Sequence, residues 1–164
     1  MDTIQTLQQK INEKTKSAPI FYFARDIERG LGLENILDNY KIFCISDNGI
    51  VNYLNDKVFC LSREENNQTV RASSQLLKHP KIQEMLNAFP EKYIQTFKIS
   101  PQFENELKKL GAATLNTTSQ LNKMFEDKIL QHKFFVENGI MGKRARVDIL
   151  KNMNFTDLTK EFGL

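Results

Sequence analysis

The 164 residues contain no tryptophan, two cysteines, two histidines, four prolines and seven glycines. Each scarcity removes a class of protein. No stretch approaches the roughly 20 consecutive apolar residues that a transmembrane helix needs, so no membrane partner is expected. The first residues, Met1 to Lys16, are polar and include acids, unlike a secretory leader. Cys44 and Cys60 each lie inside an apolar run, Ile42–Ile45 and Val58–Leu61, and read as two buried thiols in strands. Neither a disulfide framework nor a metal-ligand spacing arises from two cysteines and the distant His79 and His132. Excess charge of one sign is missing too. Twenty-three Lys and Arg against 20 Asp and Glu leave +3, which disfavours nucleic acid as a partner. A chain that is 40% apolar and 26% charged belongs with folded globular domains rather than disordered ones, and a cytoplasmic location is the expectation.

What is present is an alternation of helical and strand patterns. Ile4, Leu7 and Ile11 recur at helical spacing. The run Ile20–Ala24 lacks polar alternation, as does Lys41–Ser46, and both read as strands buried on two faces. Between them Arg25–Asp38 reads as a helix weakened by Gly30 and Gly32. Asp47-Asn48-Gly49 is a turn signal, Val58–Leu61 a third strand and Ser62–Gln68 a polar loop. A helical pattern over Thr69–Phe89 is interrupted at Pro80, which suits the first position of a new helix. Tyr93–Ile99 alternates as a fourth strand. Ser100-Pro101 opens a helix that Gly111 ends, and Ala112–Leu115 is a short fifth strand. Thr117–Gln120 fits a capping box for the longest helix, reaching Asn138 with Gly139 as its cap. Ala145–Leu150 is a sixth strand candidate and Phe155–Phe162 a last helix.

This order predicts an α/β fold: a Rossmann-like, mainly parallel sheet flanked by helices, followed by a long helix and a short strand-helix extension. Residues 1–115 suffice for the sheet domain, leaving 116–164 as a second piece. Its single strand must find a partner in the first sheet, in a second copy of the chain, or in further sequence.

The stretch Ala112–Asn116, Leu121, Asp127-Lys128 and Phe134–Ile140 resembles the entry into ATP-grasp enzymes. The resemblance implies that residues 1–115 form the Rossmann-like pre-ATP-grasp domain. Residues 116–164 would then be the linker helix and first elements of an ATP-grasp domain, cut before the strand that carries a nucleotide lysine. Where the family often has proline after Gly-Ile, this chain has Met141-Gly142-Lys143-Arg144. Such ligases activate a carboxylate as an acyl phosphate, with ATP and Mg2+ as cofactors, and couple it to an amine or thiol. The resemblance gives this part a substrate-side or dimerising role with no catalytic or metal-binding residue of its own. Its partner is the remainder of the ATP-grasp domain. Lys128 matches a linker-helix position whose basic residue reaches the phosphates in some members. Arg144 and Arg146, on the next strand, are nucleotide candidates by the same resemblance.

Other signals are more general. Arg25 stands with Asp26 and Arg29 where the first strand ends, and Asp47 where the second ends. In parallel sheets ligands sit at those carboxyl ends, so Arg25 and Asp47 are the candidate substrate-side residues. An ordinary surface network for Arg25 and a turn role for Asp47 compete with that. Gly30-Leu31-Gly32 does not follow its strand directly and lacks a third glycine, so it is not a dinucleotide fingerprint. Lys143–Arg146 is the one concentrated basic run. A free-standing Rossmann-like binding or interaction module without catalysis is the alternative to the ligase reading.

Overall fold

The computed structural model describes residues 3–64 and 70–140, together with Thr156 and Lys160, which are helical. The chain divides into two compact units, residues 1–119 and 120–164. The expected strand 145–150 and almost all of the expected last helix lie outside the described residues.

The first unit is α/β. Helix α1 spans Ile4–Thr15, with the Thr3 hydroxyl accepting from the Thr6 N–H. Among the described residues five strands follow: β1 (Ile20–Asp26), β2 (Tyr40–Ser46), β3 (Val58–Cys60), β4 (Tyr93–Thr96) and β5 (Ala113–Thr114). All pairings are parallel, in the order β3-β2-β1-β4-β5. The chain steps outward from β1 through β2 to β3, then returns to the other side of β1 for β4 and β5. That reversal falls between β1 and β4. Connections that run in opposite directions from one strand land on opposite faces of the sheet, and the two faces here are covered differently.

One face carries a row of aromatic rings in register. Phe23 pairs with Phe43 and Phe43 with Phe59, with ring centroids 4.9 and 6.0 Å apart. Helices α2 (Leu61–Glu64), α3 (Ser73–Leu76), α4 (Pro80–Asn87) and α5 (Pro101–Lys109) lie between the strands in sequence. Leu61, Leu76, Ile82, Leu86, Phe103 and Leu107 from these helices complete that core. Pro80 and Pro101 each sit in a first turn, and the Ser100 hydroxyl accepts from the Phe103 N–H at 3.1 Å, as the capping pattern predicts. Gly111 follows α5 at φ 58°, the left-handed stop.

The other face, built from Ile20, Tyr22, Ala24, Ile42, Cys44 and Cys60, is covered without an α-helix from the β1–β2 or β2–β3 connections. Here the structure corrects the sequence reading. Residues 25–38 do not form a helix: β1 continues to Asp26, a 3-10 turn covers Ile27–Gly30, and turns lead to β2. The reason is local. A Cβ on Gly30 would lie 3.0 Å from both Ile42 Cγ2 and Tyr22 Cδ1, so the loop approaches the sheet more closely than a helix could. The buried Tyr40 hydroxyl donates to the Gly30 carbonyl at 2.7 Å and pins it there. Gly32 then takes φ 111°. Ile27, Leu37 and Val51 fill the space a helix would have filled.

Two further boundaries differ. Ser62–Glu64, expected as loop, is the helical turn α2. The long helix expected to Asn138 is two helices, α6 (Ser119–Glu126) and α7 (Lys128–Glu137). Asp127 breaks it: its backbone is extended, and its carboxylate accepts from the N–H groups of Ile129 and Leu130 at 2.9 and 3.1 Å. An Asp that caps so well competes with helix continuation. Gly139, at φ 67°, closes α7 as expected.

Candidate ligand-binding rim

The carboxyl ends of the five parallel strands form one rim of the first unit, and the reversal between β1 and β4 lies on it. In open parallel sheets this is where connecting loops part and a ligand can enter. Arg25 and Asp26 end β1. The Arg25 side chain is 70% exposed, with Asp26 Oδ1 a distant 3.9 Å from its Nε, a separation at which an exposed pair contributes little. On the neighbouring strand Phe97 follows Thr96 directly. Its ring is exposed, and the Arg29 guanidinium stacks 4.2 Å above the ring centre. A guanidinium held over an aromatic ring keeps N–H donors that suit an anion. The rim at the reversal thus presents two arginines and an aromatic surface.

Asp47 is placed at the end of β2, where the sequence puts it, but it is occupied. Its Oδ2 lies 2.5 Å from both Nε and Nη2 of Arg63, while Oδ1 accepts from the Gly49 N–H at 2.8 Å. Partial desolvation of the carboxylate opposes its charge, but the Gly49 N–H and the Arg63 guanidinium outweigh it and hold the carboxyl below its usual range. Asp47 therefore builds the turn and ties it to α2. Beside it the Asn48 amide donates to Glu28.

Asn116 carries a role that helix capping does not describe. β5 ends at Thr114, leaving the N–H and C=O of Thr96 pointing at an edge where, among the described residues, no strand remains. The Asn116 amide fills the gap: its oxygen accepts from the Thr96 N–H at 2.8 Å, and its nitrogen donates to the Thr96 carbonyl at 2.7 Å. One side chain thus extends the β-ladder by a residue. Nearby, Glu104 accepts from the Ser119 hydroxyl at 2.6 Å and from its N–H at 3.1 Å, which lowers the Glu104 carboxyl from its ordinary value.

Lys128 belongs to the second unit. It is the first residue of α7, with Nζ 3.3 Å from Gln131 Oε1. Arg144 and Arg146 lie outside the described residues. Sequence reasoning had no means to pair Arg29 with Phe97, because the contact depends on β1 and β4 being neighbours. Nor could it find Arg63 inside a stretch that reads as loop.

Among the described residues no three His, Cys, Asp or Glu side chains cluster to hold a metal, and the rim acid Asp47 is committed to Arg63. Gly30 packs against Ile42 and Tyr22 rather than leaving space for a phosphate. A separate open cleft of about 360 Å3 lies at the opposite, amino end of β1 and β2, lined by Pro19, Phe21, Tyr40, Met85 and Phe89 among others. Among the described residues no helix is long and apolar enough to cross a membrane. Comparison of the chain with protein-family models, curated proteins and solved structures gives no match.

Proposed function

We propose that the chain is the substrate-side portion of an ATP-dependent ligase of the ATP-grasp type, and that the Rossmann-like unit binds the anionic, non-nucleotide substrate. The observation that carries this reading is the pair Arg25 and Arg29 with Phe97 at the reversal point of the sheet. A carboxylate is the group such ligases activate, and an exposed arginine edge beside an aromatic face suits a small carboxylate-bearing molecule. The order of elements and the Asp127-Lys128 and Gly139-Ile140 positions of the resemblance support it. ATP and Mg2+ would be held by the family's C-terminal elements, with Lys128, Arg144 and Arg146 as the contributors from residues 116–164.

Thermal-shift screening of the chain against small carboxylates, followed by titration calorimetry, tests the reading. Stabilisation by a carboxylate that is lost in Arg25→Ala and Arg29→Ala supports it. Tight binding of magnesium-ATP to the Rossmann-like unit alone, or no carboxylate response from folded protein, sinks it.

One observation favours the second reading, an interaction module that pairs with another copy of itself. Helix α1 rests on the body through its polar side: Gln8 donates to the Ile36 carbonyl at 2.7 Å, and the Asn12 oxygen accepts from the Asp38 N–H at 3.2 Å. Its apolar stripe, Ile4, Leu7 and Ile11, is left exposed, as are Leu33 and Ile36. A stripe at this spacing suits a second helix. Sedimentation of the wild type and Leu7→Glu distinguishes a dimer that the charge dissolves from a monomer.

A further inference from the structure

Cys44 and Cys60 are direct neighbours. They are register partners of the parallel strands β2 and β3, so their side chains emerge side by side on the same face, the one covered by loops and 3-10 turns. Adjacent strands lie about 4.8 Å apart, inside the Cα separation that a disulfide spans. Both thiols are unbridged and buried. Cys60 is the better connected: its sulfur lies 3.3 Å from the Ser62 hydroxyl and 3.8 Å from the Ile45 carbonyl oxygen.

The neighbouring Cys44 and the Ser62 hydroxyl lower the Cys60 thiol against desolvation, while the neighbouring Cys60 and burial push the Cys44 thiol up. The charged groups facing the pair are Asp47, which opposes ionisation of both, and Glu28, which opposes that of Cys44. Arg63 neutralises Asp47 from the rim. Cys60, on the strand next to the half-buried Ser62 and in contact with its hydroxyl, is the sulfur that local opening reaches first, with Cys44 on β2 behind it.

Access follows from topology. β3 has three residues and, among the described residues, lies at the sheet edge, paired only with β2. Short edge strands open locally at a fraction of the global unfolding free energy, and Ser62, beside Cys60, is half-buried.

We infer that Cys44 and Cys60 form a peroxide-oxidisable dithiol, a modification site in which Cys60 reacts first and Cys44 resolves it to an intramolecular disulfide. In the first step the Cys60 thiolate attacks one oxygen of hydrogen peroxide. The O–O bond breaks, sulfenic acid forms, and the departing hydroxide takes up the proton the thiol released, giving water. In the second step the Cys44 sulfur attacks the Cys60 sulfur. The S–S bond forms, the S–O bond breaks, and hydroxyl leaves as water with the Cys44 proton. Two thiols lose two electrons in all, and one peroxide becomes two waters. The product would staple the edge strand to β2.

The test uses the whole 164-residue chain, folded, exposed to hydrogen peroxide at neutral pH and then alkylated. Intact mass and peptide mapping should show the loss of two hydrogens and a Cys44–Cys60 linked peptide, reversed by dithiothreitol. With dimedone present, Cys44→Ser should accumulate an adduct on Cys60, whereas Cys60→Ser should lose both products. The wild-type measurement decides the question even where a serine variant folds poorly. Thiols that stay unmodified until denaturant is added would overturn the inference, as would linkage only between separate chains or over-oxidation of Cys60 with no bond to Cys44.

Discussion

Replacing Asn116 by alanine removes the partners of two backbone groups of the buried Thr96 at once. Thr96 is 4% exposed, and its N–H and C=O meet the Asn116 amide at 2.8 and 2.7 Å. A buried backbone group left unpaired costs about 1–3 kcal/mol. Asn116 itself is half-buried, so water reaches part of the vacated space and offsets some of the loss. The expected destabilisation is therefore about 2–4 kcal/mol, a large share of the ~5–15 kcal/mol typical of a whole domain. With a urea slope of about 2 kcal/mol/M, the midpoint followed by circular dichroism should fall by roughly 1–2 M. Asn116→Asp sharpens the test. At neutral pH its carboxylate still accepts from the Thr96 N–H but opposes the Thr96 carbonyl, so the variant should also be weakened. Protonated, it donates to that carbonyl and replaces the amide. Its folded-state pKa is consequently raised, and the deficit relative to wild type should shrink as pH falls through that value. A loss below about 0.5 kcal/mol for Asn116→Ala, the range of ordinary surface changes, would refute the idea that this side chain completes the ladder.

Gly30→Ala should cost about 1–3 kcal/mol through overpacking against Ile42 and Tyr22, read as a lower urea midpoint. Tyr40→Phe, which strips the hydroxyl from the Gly30 carbonyl while keeping the ring, should cost about 1–2 kcal/mol and loosen the 25–38 loop to proteolysis. The carboxyls of Asp47, Glu64, Glu104 and Glu106 are all lowered in the folded chain. Their contribution is complete above the ordinary carboxyl range near pH 4–4.5 and is lost as pH falls through the lowered values. Acid unfolding of Asp47→Asn should accordingly be less steep than that of wild type.

The sheet was legible because parallel strands buried on both faces leave unbroken apolar runs, as at Ile20–Ala24 and Ile42–Ile45. Helix starts were legible where chemistry is local, as at Ser100-Pro101 and Pro80. The β1–β2 connection was not. Its charged residues have helical spacing, and what defeats the helix is distant: the Tyr40 hydroxyl and the surfaces of Ile42 and Tyr22. Asp127 illustrates the reverse case, in which a local cap overrides a continuous apolar pattern. At the rim, the positions of Arg25 and Asp47 at strand ends were readable from the sequence alone. The stacking of Arg29 on Phe97 and the Arg63 clamp on Asp47 needed strand order, which periodicity does not encode.

The unequal covering of the sheet has a consequence for how the molecule breathes. Rigid helices with their own hydrogen-bond ladders guard the aromatic side, whereas the Gly30, Leu37 and Val51 side is held by short turns, the Tyr40 hydroxyl and side-chain hydrogen bonds from α1 and Lys57 to residues 36–38. Amide hydrogens of the 27–38 loop should exchange with solvent well before those of α4 and α5. The first partly open form of this unit should be a sheet still docked on its helices, bare on one side only, with Tyr22 and Ile42 the first core residues to meet water.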